Sequence, residues 1–314
     1  RLFTVTYKDA PEDEQRAIAS LQASIEPLVE MMQTKGESEC RMGMYNVIGG
    51  EDELCNFEKV RFRDQGEQPV DCEEGFGSDA LLGEGCQSRL DFVRYGLIEG
   101  LREYERIGVN PYAFGLVGGT DTHSAPPGAT DEYNYFGHNS TVDDTAIKRL
   151  TRGSYVPHAL RNPGGLMGVW AEENSRDALF DAMKRRETFA TSGVRIKPRL
   201  FAGWDLPDTL CDDPNALTKA YQSAVPMGGE INAAPDINKS PVFFTQALRD
   251  PGSEAFSGTG LQRIQIIKGE VDQSGQFRES IIDVAMDDGP AVDVDAACNP
   301  THPGASKLCA VWKD

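Results

Sequence analysis

The stretch Ala113-Phe114-Gly115-Leu116-Val117-Gly118-Gly119-Thr120-Asp121-Thr122-His123 constrains this chain more than any other. Ala113 to Val117 is a short apolar run that reads as a buried strand, and the Gly118–Gly119 pair removes side chains where the backbone must turn. Asp121 and His123 then emerge together at the strand's end. A carboxylate oxygen and an imidazole nitrogen so spaced can face one cavity, and both are donor types taken by Zn²⁺, Mn²⁺ or iron. In other settings an Asp-x-His only caps a turn and bonds a carbonyl. Here the apolar strand and glycine pair before it place it where α/β folds carry their chemistry, beyond a strand's carboxyl end.

The elements before it fit that reading. Pro11 starts a helix that runs to Glu26, with acids in its first turn and Ala17, Ile18, Leu21 and Ile25 at helical spacing; Pro27 ends it. Leu28 to Met32 reads as a buried strand, and the polar turn Lys35 to Glu39 follows at its carboxyl end. There Glu37 and Glu39 are placed to act as a metal ligand or a general base. Ser88 and Asp91 form a capping pair for a helix through Ile107, with Leu90, Val93, Leu97, Leu101 and Tyr104 on one face and Gly108 at its end. Helix, short connection, apolar strand and ligand-bearing turn is the alternation of an α/β protein.

Between these elements, residues 40–87 form a long, polar, acid-rich excursion holding Cys40, Cys55, Cys72 and Cys86. A loop of that length inside a domain is functional or stapled. Seven cysteines without a Cys-x-x-Cys pair argue against a zinc ribbon or thioredoxin-like site and for disulfides, hence a periplasmic or secreted protein.

After His123 comes another polar stretch, to Asn162. His138 lies there among turn formers and is a candidate for a metal ligand or for proton transfer near the same mouth; His158 is a weaker one. Residues 165–171 and 188–193 read as strands flanking a helix over 176–187. Beyond Arg195 the texture changes to β-rich segments at 242–248, 261–271 and 280–286, the pattern of a small antiparallel sandwich. The expected division is therefore 1–195 and 196–314.

A net charge of −19 with scattered Lys and Arg excludes a nucleic-acid partner, and no apolar run approaches the ~20 residues that cross a bilayer. Arg41 and Arg176 are candidates to hold a small anionic substrate.

The segments Glu26 to Glu39, Gly118 to His123, Asn162 to Leu166, Val169 to Arg176 and Arg185 to Gly193 together resemble an uncharacterised bacterial family, domain of unknown function 3604. That family is related to the PHP (polymerase and histidinol phosphatase) metal-dependent phosphoesterases. The resemblance implies part of a distorted (β/α)7 barrel followed by the β-sandwich, with up to three divalent ions in the intact protein. It also implies hydrolysis of a phosphate ester or related bond, with Asp121 and His123 as metal ligands. PHP sites draw on further histidines, including an early His-x-His pair, whereas this chain has His123, His138, His158 and His302. The resemblance thus implies a fragment of a longer barrel. The resulting expectation is a hydrolase in which Asp121, His123 and Glu37 hold metal, Glu39 orients the water and His138 protonates the leaving group. The competing reading is an exported, non-catalytic binding or scaffold protein, with pairing into a homo-oligomer through the β-rich part.

Overall fold

The computed structural model describes residues 3–49, 52–56, 70–73, 85–150, 161–287 and 301–314. In chain order its elements are α1 (Glu12–Ile25), β1 (Leu28–Gln33), β2 (Gly36–Glu37), β3 (Val47–Ile48), β4 (Val70–Asp71), β5 (Cys86–Gln87), α2 (Val93–Ile107), β6 (Gly115–Gly118) and α3 (Ala146–Arg149). There follow β7 (Leu166–Val169), α4 (Arg176–Lys184), β8 (Thr188–Thr191), β9 (Lys197–Gly203), α5 (Ala216–Ser223), β10 (Val225–Pro226), β11 (Val242–Leu248), β12 (Arg263–Val271), β13 (Phe277–Met286) and β14 (Lys307–Lys313). Among the described residues this is a mixed α/β arrangement of small sheets and five α-helices, without a closed barrel. No helix among them is long and apolar enough to cross a membrane.

The chain divides into two compact units that alternate along the sequence. The first comprises Arg1–Met167, Phe189–Gly193 and Lys268–Ser280; the second comprises Gly168–Thr188, Val194–Ile267 and Ile281–Asp314.

In the first unit β1 pairs in parallel with β6, Leu28 opposite Gly115 and Met32 opposite Gly118, with a register shift between Glu30 and Met32. Parallel pairing sets the carboxyl ends of the two strands side by side, so Thr34 and the Gly119–His123 turn share one edge. The connection between the strands carries the cysteine-rich excursion and α2. Ser88 and Asp91 do form a capping box, around a 3-10 turn at Arg89–Asp91 that leads into α2, and Gly108 closes α2 at φ 74°. Phe3, Tyr95, Ile98, Tyr112 and Phe277 pack the core of this unit.

Two helix faces differ from the apolar spacing. In α1 the buried positions are Gln15 and Ala19, while Leu21 and Ile25 are exposed. Gln15 is drawn inward because its amide bonds the carbonyls of Lys8 and Ala10 and its carbonyl accepts from Arg106. In α2 Leu101 and Tyr104 face solvent, and the buried stripe carries Arg94, Glu99 and Glu103. Those carboxylates are buried in ion pairs: Glu99 with Arg102 and Lys8, Glu103 with Arg106 and Lys8. Paired charges can occupy a core position that periodicity assigns to apolar residues.

The Cys40–Cys55 and Cys72–Cys86 disulfides staple the described parts of the excursion. Close to the first staple, the buried Arg94 guanidinium meets Glu39 at 2.6 Å, Asp52 at 3.0 Å and Glu279 at 3.1 Å.

The second unit is built on the antiparallel sheet β10-β9-β11-β14. Its central strand β11, rich in Phe and β-branched residues, sets Phe244 opposite Phe201 on β9 and Val311 on β14. Phe201, Phe244, Leu210 and Ala220 are the buried core, and a third disulfide, Cys211–Cys309, ties β14 to the 3-10 turn at Leu210–Asp212. Cys309 thus pairs with a residue far upstream; Cys298 lies outside the described residues. α5, which the β-rich texture of this region conceals, packs Tyr221 edge-on against Phe201, ring centroids 4.9 Å apart.

Candidate functional site

Beyond the end of β6 the chain turns sharply, and the turn is built from short polar side chains. Thr122 N–H donates to Thr120 Oγ1 and Ser124 N–H to Thr122 Oγ1. Asp121 sits in the left-handed region at φ 49°, which Asp tolerates better than most residues and which costs about 1 kcal/mol. Glycines make room: a Cβ on Gly118 would meet the Leu166 carbonyl at 2.9 Å, and one on Gly164, at φ 84°, would meet the Thr120 Cα at 2.6 Å.

His138 is brought to the turn by a second loop. Its carbonyl accepts from the His123 amide at 2.9 Å and from Ser124 Oγ at 3.1 Å, and Ser124 Oγ accepts from the Ser140 amide. The buried Asp143 carboxylate receives the amides of His138 and Asn139, at 2.9 and 2.7 Å. Gly137, at φ 100°, lets the loop lie against Asp143, where any Cβ would collide with the Asp143 carbonyl.

Asp121, His123 and His138 thereby offer one carboxylate oxygen and two imidazole nitrogens within 4.8 Å of one another. The His123 and His138 rings lie 4.6 Å apart, and His123 Nε2 stands 3.9 Å from Asp121 Oδ1. Asp121 and His123 are exposed and His138 is 4% exposed, so the cluster has a closed back and an open front. Burial, the positive charge of Arg161 and the neighbouring His123 push His138 down to about 4. At neutral pH it is an uncharged imidazole with a lone pair to give. A cleft of about 470 Å³ adjoins Asp121, walled by the Gly118–Thr122 backbone, Ala125, Pro127, Leu166 and Met167.

The sequence matches the family described as "Protein of unknown function (DUF3604)" over residues 2–314. The chain belongs to the DUF3604 family. No curated protein and no solved structure matches it.

In this DUF3604 chain the other residues singled out from sequence stand elsewhere. Glu37 Oε2 accepts from the amides of Glu39 and Cys40, capping the turn after β2. Glu39 is engaged with Arg94. Neither belongs to the three donors at Asp121. Arg41 donates to Gln87 Oε1 at 2.9 Å, half-buried, and burial lowers its pKa. Arg176 is exposed in the first turn of α4, after the Ser175 cap, and belongs to the second unit. His158 lies outside the described residues.

A second group of donor atoms, Cys40, Asp52 and Cys55, is also close. Its two sulfurs form a disulfide and its carboxylate faces Arg94, so it offers no thiolate. Arg161, whose charge bears on His138, was not singled out from sequence; nothing in its local pattern marks it.

Proposed function

We propose that this chain carries the site of a metal-dependent hydrolase of the PHP type, exported to an oxidising compartment and acting on a phosphate ester or a related ester. The observation that carries the reading is the convergence of Asp121, His123 and His138 at the carboxyl edge of a parallel strand pair. Two imidazole nitrogens and one carboxylate oxygen fit the preference of Zn²⁺, Mn²⁺ or iron, and their open front leaves coordination positions for water and substrate. A divalent ion bound there supplies Lewis acidity and an activated water at neutral pH.

The chain's own residues account for the rest. The Asp143 clamp fixes the His138 loop, so the donors are preorganised rather than collected. His138, uncharged at neutral pH, suits a ligand better than a proton donor. The cleft beside Asp121, with glycine backbone on one side and Leu166 and Met167 on another, is shaped for the organic part of a small substrate. Three disulfides favour export. A PHP relationship, which implies up to three ions, extends the same reading.

The test is initial-rate hydrolysis of a generic aryl phosphate by metal-loaded protein, with and without a chelator, in wild type and Asp121→Ala. Hydrolysis abolished by chelation and reduced at least roughly a hundredfold by the substitution is the expected result. A metal-loaded protein that hydrolyses no ester, or one indifferent to the chelator, removes the hydrolase reading and leaves a binding protein.

A further inference from the structure

We infer that Arg161 is the anion-holding group of the Asp121–His123–His138 site, binding an oxyanion of the phosphate or sulfate class. The inference deepens the hydrolase reading and takes its setting from it.

The segment that begins at Arg161 is fastened to the site by backbone bonds. Asn162 N–H donates to the Thr34 carbonyl at 3.2 Å and Thr34 Oγ1 donates back to the Asn162 carbonyl at 3.1 Å. Three residues on, Gly165 N–H donates to the Gly119 carbonyl at 2.7 Å, and Gly164 lies flat against Thr120. Arg161 is therefore held at the edge where the loops after β1 and β6 meet. Its charge reaches both His138 and Tyr135 from there.

The guanidinium is incompletely used. Arg161 Nη1 is buried with no hydrogen-bond partner among the described residues, and none of their carboxylates is ion-paired with Arg161. A buried charged donor left without an acceptor is unfavourable, and in a native protein it calls for an explanation such as a ligand. The contrast with Arg94 is direct: that guanidinium is enclosed by three carboxylates, whereas no described carboxylate pairs with Arg161. In a chain of net charge −19, a cation so placed offers an oxyanion a local positive site, and the planar fork of Arg matches two oxygens of a tetrahedral anion. With the anionic end at Arg161, the cleft on the Asp121 side takes the uncharged, partly apolar remainder of the ligand.

The experiment titrates inorganic phosphate into the whole protein by calorimetry, with and without added Mn²⁺, in wild type, Arg161→Gln and Arg161→Lys. In parallel, phenylglyoxal labelling of the wild type is mapped by mass spectrometry with and without phosphate. Expected are phosphate protection of Arg161 from labelling, roughly tenfold or greater loss of phosphate affinity in Arg161→Gln with partial recovery in Arg161→Lys, and Mn²⁺ affinity that does not fall. Equal phosphate affinity in wild type and Arg161→Gln, or unprotected Arg161, overturns the inference. Should Arg161→Gln fail to fold, the labelling of wild type decides alone. Protection of Arg161 in a protein that binds no metal would sink the hydrolase reading and keep this one; metal-dependent hydrolysis without protection would do the reverse.

Discussion

The His138 carbonyl accepts the His123 amide at 2.9 Å while the two imidazole centroids lie 4.6 Å apart, so one backbone bond registers both nitrogens of the cluster. The bond exists because Asp143 holds the 137–140 loop in place. Asp143→Ala removes the acceptor of two amides, one of them the buried amide of His138. The expected result is a stability loss of about 1–3 kcal/mol and Zn²⁺ affinity weakened roughly ten- to a hundredfold, with the three donors themselves intact. Denaturant melts and competitive Zn²⁺ titration read both. Unchanged affinity would separate the loop from the site.

Among the described residues, Arg94 is the buried cation that pairs with Glu39, Asp52 and Glu279. Its pKa is raised: burial works against the charge, and Glu39, then Glu279 and Asp52, outweigh it. Arg94→Met leaves these carboxylates without their cation, and a loss of about 3–5 kcal/mol is expected in urea unfolding. A loss under 1 kcal/mol would show the cluster to be well solvated.

The disulfides differ in the chain they enclose. Cys211–Cys309 has a sequence separation of 98 and Cys40–Cys55 one of 15. Chain entropy assigns about 4–5 kcal/mol to the first and about 3 kcal/mol to the second. Replacing each pair by Ser should therefore lower the melting temperature more for Cys211/Cys309, and reductant should destabilise the wild type but leave the fully substituted variant unmoved. The opposite ranking would point to a native-state effect at Cys40–Cys55.

Burial, then the hydrogen bond to Glu187, pushes Tyr221 up to about 12, and burial likewise raises Tyr7, Tyr95 and Tyr112. The unfolded value is about 10. The folded state holds these protons more tightly, so the stability they contribute is complete below pH ~10 and is lost as pH rises through the folded values. Phenolate absorbance should therefore show a late group of tyrosines that ionises only with unfolding. Ionisation of all nine tyrosines near pH ~10 with the fold intact would contradict the burial of these hydroxyls.

Much of this architecture is legible in the chain. The apolar runs that become β1 and β6, the Ser88–Asp91 cap, the Gly108 stop and the bounds of β11 follow from local rules of pattern and turn chemistry. What local pattern cannot carry is pairing at a distance. Glu99 and Glu103 are core residues only because Arg102, Arg106 and Lys8 meet them, and Leu21 and Ile25 lie outside because Gln15 found carbonyls within. In the site, Asp121 and His123 are readable from the strand and glycine pair. His138 joins them through a clamp made by Asp143, and Arg161 through a loop bonded to Thr34, neither of which leaves a periodic trace. Glu37 and Glu39 had the right position on the chain, but nearer partners, two backbone amides and Arg94, engage them.

The central claim is that Asp121, His123 and His138 hold a divalent ion together. The most direct measurement is metal content by elemental analysis of the dialysed protein, with equilibrium Zn²⁺ and Mn²⁺ titrations, for wild type, Asp121→Ala and His138→Ala. Expected are at least one tightly held ion per wild-type chain and its loss in both variants, with melting temperatures in the metal-free state little changed. A wild-type protein that retains no ion and binds none on titration, or variants that hold it as tightly as wild type, would contradict that claim.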